Sequence, residues 1–262
     1  MSRDGSDLRD CWTQGFDFSG RVAVVTGAAG GIGLAAARAL ARCGARLALL
    51  DLRPDLEAVA AELDGGLERH LACQVDLADP GAIAEFVRRA ERHFGALDIL
   101  VNNAGVALLH RAEDLSEAAW DQTLAINLKA PFLLAQAIGQ CMKQRHFGRI
   151  INLASQASVV ALDRHAAYCA SKAGLVGLTK VLALEWAGHG ITVNAISPTV
   201  VDTELGRQAW AGEPGSAMRA RIPVGRFARP EEIAGLILYL ASDASAMLTG
   251  ENILIDGGYT AQ

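Results

Sequence analysis

Val22-Ala-Val-Val-Thr26-Gly-Ala-Ala-Gly-Gly-Ile-Gly33 is the stretch on which the fold turns. Four apolar residues and a threonine form a short run suited to a strand buried on both faces. The chain then enters a glycine cluster, and Ile32 to Ala41 follows with the apolar spacing of a helix. A strand, a glycine turn and a helix in that order place unpaired backbone N–H groups and the positive end of a helix dipole at one point. That point suits a pyrophosphate. The spacing Gly27, Gly31, Gly33 departs from G-x-G-x-x-G, so the flanking strand and helix carry the argument rather than the glycines alone.

The same alternation runs outward from this stretch. Further strands are expected at Arg46–Asp51, His70–Val75, Leu97–Val101, Arg149–Leu153, Ile191–Ile196 and Asn252–Ile255. Helices are expected at Pro54–Leu63, after Asp79-Pro80, at Ala166–Trp186 and at Pro230–Ala241. A long helical zone covers Ser116–Gln144, interrupted near Lys129–Pro131. The strands are continuously apolar rather than alternating. This predicts an α/β fold: a single-domain Rossmann-type, doubly wound parallel sheet with helices on both faces. No linker or repeat divides the chain, so residues 1–17 read as an N-terminal extension and 18–262 as one domain. Thr199–Pro223 reads as an irregular lid over a site.

Composition narrows the function. The chain has 262 residues, 51% of them hydrophobic, and a formal charge of −5. A large core is possible, and a mildly acidic chain without a basic run is a poor partner for nucleic acid. The apolar stretches are short and punctuated, so no transmembrane helix is expected, and the first residues lack a signal-peptide core. Five cysteines (Cys11, Cys43, Cys73, Cys141, Cys169) with no C-x-x-C pair fit reduced thiols in the cytoplasm. No Cys/His cluster suggests a catalytic metal.

Asp51 ends the second strand, eighteen residues beyond Gly33. A carboxylate there accepts hydrogen bonds from ribose hydroxyls and repels a 2′-phosphate, which favours NAD as cofactor over NADP. Arg53 argues the other way, since a cation can accommodate that phosphate. Asp76 and Leu77 follow the third strand, and Asn102, Asn103, Ala104 and Gly105 the fourth, where strand ends form the ligand crevice. Asp76 suits either an adenine contact or a turn cap. The asparagine pair suits either the ligand or a tie between strands.

Tyr168 and Lys172 stand four apart on the predicted Ala166–Trp186 helix and so share one face. A tyrosine acting as a base near neutrality needs its pKa lowered by about three units, and one cation at about 4 Å supplies a term of that size. Ser155 ends the fifth strand, where its hydroxyl can donate to a substrate oxygen. Asn127 lies in the long helix, where it can break the hydrogen-bond ladder and hold a water near Lys172.

Taken together, Thr26–Gly33, Asp51, Asn102–Gly105, Asn127, Ser155, Tyr168 and Lys172 resemble the short-chain dehydrogenase/reductase family in its shorter form. The resemblance implies seven parallel strands in the order 3-2-1-4-5-6-7 and a homotetramer. It also implies an oxidoreductase that interconverts a small-molecule alcohol and a ketone. Tyr168 is then the acid/base, Lys172 lowers its pKa and holds the nicotinamide ribose, Ser155 orients the substrate oxygen and Asn127 joins a proton relay. Gly27, Gly31, Ile32, Gly33, Asp51, Asp76, Leu77, Asn103, Ala104, Gly105, Tyr168, Lys172, Pro198, Val200 and Val201 are the expected cofactor contacts. Pro198-Thr199 departs from the family's usual Pro-Gly. A structural magnesium near Gln262 is a feature of some relatives.

For the substrate, Asn152–Asp163 and Ser197–Gly206 resemble bacterial NAD-dependent sugar-alcohol (polyol) dehydrogenases, which implies a tetritol, pentitol or hexitol and its ketose. A buried polyol needs polar partners, and Gln156, Ser158, His165, Glu204 and Trp210 are candidates. A reductase of 3-oxoacyl thioesters or a diketone is the competing enzyme, with Arg207, Arg219 and Arg221 as an available basic patch. A silent dinucleotide-binding regulator is the non-enzyme alternative.

Overall fold

The computed structural model describes residues 16–261. Seven strands form one parallel sheet in the order β3-β2-β1-β4-β5-β6-β7: β1 Val22–Thr26, β2 Arg46–Asp51, β3 Leu71–Gln74, β4 Ile99–Asn102, β5 Gly148–Leu153, β6 Ile191–Pro198 and β7 Asn252–Ile255. Every residue of β1, β4, β5 and β6 is buried, the result of covering continuous apolar runs on both faces. The strand order is that implied by the resemblance.

The helices are α1 Gly31–Arg42, α2 Leu56–Ala61, α3 Gly66–Arg69, α4 Pro80–Phe94, α5 Glu117–Leu124, α6 Ala130–Arg145, α7 Ala166–Trp186, α8 Glu204–Ala209, α9 Glu213–Ala220 and α10 Pro230–Ala241. Helix α4 begins as expected: the Asp79 side chain accepts from Gly81 N at 2.7 Å, and Gly95 in the left-handed region closes it. Two layers flank the sheet. Leu40, Leu49, Ile151 and Ile237 belong to one apolar core, and Leu50, Phe86, Leu100 and Ile138 to the other.

Some boundaries differ from expectation. Helix α2 starts at Leu56, because Pro54 lies in a turn in which Arg53 N donates back to Asp51. The long helical zone is interrupted at Ala125–Lys129, a π-helical turn, and not at Pro131, which sits harmlessly in the first turn of α6. The Thr199–Pro223 segment holds α8 and α9; the Thr203 hydroxyl caps α8 by accepting from Gly206 N at 2.9 Å. Ala166–His189 is long and apolar enough to cross a bilayer by length and composition alone, a test that a core helix also passes. It packs on the sheet and buries Lys172, Leu175, Thr179, Leu182 and Trp186.

A polar chain crosses the core. Asn102 Nδ2 donates to Asn152 Oδ1 at 2.8 Å, Asn152 Nδ2 to Thr179 Oγ1 at 2.9 Å, and Thr179 Oγ1 to Leu175 O at 2.8 Å. It ties β4, β5 and α7 together, so Asn102 takes the structural role. All four residues are buried. Asn152→Ala removes a donor and an acceptor from the middle of this chain and is expected to cost about 2–4 kcal/mol in urea unfolding. A loss below about 0.5 kcal/mol would show that the chain does not hold the strands to the helix.

Candidate active site

The sheet's C-terminal edge collects the expected residues. Gly27 turns the chain with φ +64, Gly31 with φ +53, and α1 starts with no side chain capping its N–H groups. At Gly33 a Cβ would lie 2.1 Å from Gly27 O and 2.6 Å from Asn103 Nδ2, so only glycine lets α1 approach the loop. Asn103 Nδ2 donates to Thr26 O at 2.9 Å and Gly27 O at 3.2 Å. Thr26 Oγ1 in return accepts from the N–H groups of Asn103 and Ala104 at 2.9 and 2.8 Å. Thr26 and Asn103 thereby lock the loops after β1 and β4 side by side. The anchoring role of Thr26 was missed by sequence reasoning.

At the β2 tip, Asp51 Oδ2 accepts from Ala29 N at 2.9 Å and Oδ1 from Arg53 N at 3.0 Å. The carboxylate is thus fixed against the glycine loop. Asp76 is exposed and accepts from Ala78 N at 2.8 Å, while Leu77 packs on the core. The lid lies over the loop: a Cβ on Gly31 would meet Thr203 Cγ2 at 3.1 Å. Val201 pairs with Ala228 in an isolated bridge, Val200 is half-buried, and Pro198 ends β6.

Tyr168 and Lys172 meet as their spacing predicts, with Nζ 5.7 Å from the centre of the phenol ring. Lys172 is buried, and its Nζ donates to Leu153 O at 2.6 Å, the last carbonyl of β5. Burial pulls its pKa down to about 8. Burial pushes the Tyr168 phenol up, opposed by a hydrogen bond from Ser155 and reinforced by the neighbouring Cys169 thiol. The loss of solvent outweighs the Ser155 hydrogen bond, so the phenol lies above its ordinary value. The Ser155 hydroxyl also accepts from Ala157 N at 3.1 Å and so opens a 3-10 turn, Gln156–Ser158.

Asn127 sits in the π turn, where Ala130 N reaches back to Ala125 O. Its Oδ1 accepts from Val106 N at 2.8 Å; its Nδ2 donates to Val106 O at 2.9 Å and to Ser171 Oγ at 3.1 Å. Both amide donors are therefore committed to protein, and the side chain holds the loop after β4 in place. Gly105 closes the cluster: a Cβ there would lie 3.2 Å from Asn127 Oδ1 and 3.5 Å from Lys172 Nζ. Val106 and Ser171 carried no sequence signal, because their partners are far along the chain.

A family model described as enoyl-(acyl carrier protein) reductase matches residues 27–260. The NAD-dependent glycerol dehydrogenase of Listeria innocua serovar 6a is 53% identical over 94% of this chain and 96% of its own. The chain belongs to the short-chain dehydrogenase/reductase family. D-threitol dehydrogenase of Mycolicibacterium smegmatis is 54% identical over 94% of this chain and 95% of its own. Among solved structures, a Beutenbergia cavernae protein described as a candidate NAD(P)-dependent gluconate 5-dehydrogenase, with NADP bound at low occupancy, is 39% identical. It superposes with a TM-score of 0.90 over 94% of this chain and 99% of that one.

Within this short-chain dehydrogenase/reductase the remaining candidates divide. His165 packs edge-on to Tyr168, 5.8 Å between ring centres, and its backbone bridges to His110. Gln156 is buried in the turn after Ser155, and its Oε1 has no hydrogen-bond partner among the described residues. Trp210 instead joins an apolar cluster with Val160, Val200, Met218 and Tyr259. The Glu204 carboxylate adds its charge around Arg53. Gln262 lies outside the described residues.

The buried ammonium has a measurable signature. Its folded value of about 8 lies below the ordinary 10.5, so between them the unfolded chain holds the proton that the folded chain has released. Stability attributable to Lys172 therefore rises with pH, by about 2–3 kcal/mol from about pH 7 to about pH 10. Urea unfolding across that range is expected to show this gain in the wild type relative to Lys172→Met. Parallel profiles would show that the amine titrates normally.

Proposed function

We propose that the protein is an NAD-dependent oxidoreductase that converts a secondary alcohol of a sugar alcohol (tetritol, pentitol or hexitol) to the ketose. The observation that carries the chemistry is the cluster of Ser155, Tyr168 and Lys172 beside the bare Cα of Gly105. The residues fit a dinucleotide. An uncapped helix N-terminus at Gly31 suits the pyrophosphate, and Asp51 suits the adenosine ribose. Ile32, Asp76, Leu77, Asn103, Ala104, Pro198, Val200 and Val201 would complete the groove. Asp51 favours NAD, the cofactor named for the Listeria relative, although the Beutenbergia structure carries NADP.

When bound, the oxidised nicotinamide supplies the hydride acceptor and a positive charge. Ser155 orients the alcohol oxygen. Tyr168 Oη takes its proton; the Lys172 ammonium, together with that positive charge, favours the phenolate against the cost of burial. Lys172 also presents donors to a ribose hydroxyl, and Asn127 keeps the wall of the proton path in register. Tyr168→Phe is expected to lower kcat by about 10²–10⁴-fold with NADH binding retained in a fluorescence titration. Unchanged turnover would return the protein to the silent-regulator reading.

The polyol reading rests on the Listeria and Mycolicibacterium relatives and on polar groups beside the reacting pair. Gln156 Oε1 is an unpaired buried acceptor, and a substrate hydroxyl would satisfy it. The thioester alternative needs a basic patch. Arg207 is paired with Asp202 at 3.0 Å, while Arg219 and Arg221 lie over the rings of Phe227 and Tyr259. Gln156→Leu is expected to cost about tenfold to a hundredfold in kcat/KM for threitol and little for 2-butanol. Equal losses on both would mean that Gln156 only shapes the Ser155 turn.

This reading includes a homotetramer in the cytoplasm. An apolar hollow of about 520 Å³, lined by Leu124, Leu128, Phe132 and Leu178 among others, supports association. The free thiols Cys43, Cys73, Cys141 and Cys169 suit a reducing compartment.

A further inference from the structure

The corner where β2 meets the glycine loop holds more charge than ribose recognition needs. Arg53 N donates to Asp51 Oδ1, and Arg53 Nη1 lies 3.4 Å from Ala29 O, whose own N–H donates to Asp51 Oδ2. Nη1 thus faces the glycine loop, where a Cβ on Gly30 would meet it in ordinary contact at 3.7 Å. The other face is engaged: Nε donates to Asp55 Oδ1 at 2.9 Å and Nη2 donates to Asp55 Oδ2. Two parallel N–H···O bonds from a guanidinium to a carboxylate use the same fork that a phosphate monoester would use. Asp51 and, from the lid, Glu204 add negative charge around the same cation.

We propose that Arg53 is a closed site for the 2′-phosphate of a phosphorylated adenosine, and that Asp55 closes it by occupying the guanidinium fork. Cofactor choice in this chain is then set twice. Asp51 repels the phosphate, and Asp55 withholds the guanidinium that could attract it. The proposal rests on the reading of Asp51 as the ribose contact and goes beyond it, because it assigns discrimination to a residue that touches neither ribose nor phosphate.

The test uses the full-length protein and two probes that differ only by the phosphate, 5′-AMP and 2′,5′-ADP, with affinities measured by calorimetry. In Asp55→Asn the preference for 2′,5′-ADP over 5′-AMP is expected to rise about fivefold to tenfold over wild type. The rise should shrink with added salt. In Asp55→Asn combined with Arg53→Ala the preference should fall back to the wild-type value. A ratio in Asp55→Asn within about twofold of wild type would overturn the proposal. So would a rise that persists without Arg53, since it would then reflect only lost negative charge. Failure of both probes to bind the wild type would remove the dinucleotide site itself and this inference with it, whereas binding of 5′-AMP alone leaves the Asp55 comparison decisive.

Discussion

A lysine ammonium buried beneath the strand tips is the constraint around which the site is arranged. Among the described residues Lys172 has one hydrogen-bond partner, the carbonyl that ends β5. That is little compensation for taking a charge out of water, and the depressed pKa expresses the deficit. The neighbours are shaped to tolerate it. Gly105 presents no side chain to the ammonium, Asn127 is pinned by Val106 beyond it, and Ser171 Oγ passes a hydrogen bond on to Tyr168 O at 2.8 Å. The half-buried phenol and the buried amine are both pushed toward neutrality, the phenol upward and the amine downward. A protein selected for stability alone would fill this space with apolar atoms. Retaining two strained ionisable groups at one strand edge is the mark of a site that moves protons.

The legible part of this architecture is the part that depends on local pattern. Continuous apolar runs placed the strands, and in β1, β4, β5 and β6 burial on both faces leaves no alternation to misread. Asp79-Pro80 announced α4, and the four-residue interval brought Tyr168 and Lys172 to one face. The illegible part depends on contacts between distant residues. The π turn forms where Asn127 must reach the loop after β4, twenty-one residues away, and Pro131 merely lies nearby. Thr26 looks like one more strand residue until the Asn103 loop packs against it. Glu204 and Trp210 sit in a lid whose path the sequence leaves open. Gly206, Gly212 and Pro214 signal irregularity, while the capping of α8 by Thr203 restores a helix.

The lid's attachments give it a part in both halves of the groove. Thr203 rests over Gly31 where the pyrophosphate would lie, and Glu204 adds its charge to the Arg53 corner. Further along, Trp210 packs with Val160, a residue of the loop between Ser155 and Tyr168. The isolated bridge from Val201 to Ala228 fixes the lid's root to the segment before α10. One short segment thus runs from the Arg53 corner, past the glycine loop, to the chain between Ser155 and Tyr168, and it is rooted at the end of β6.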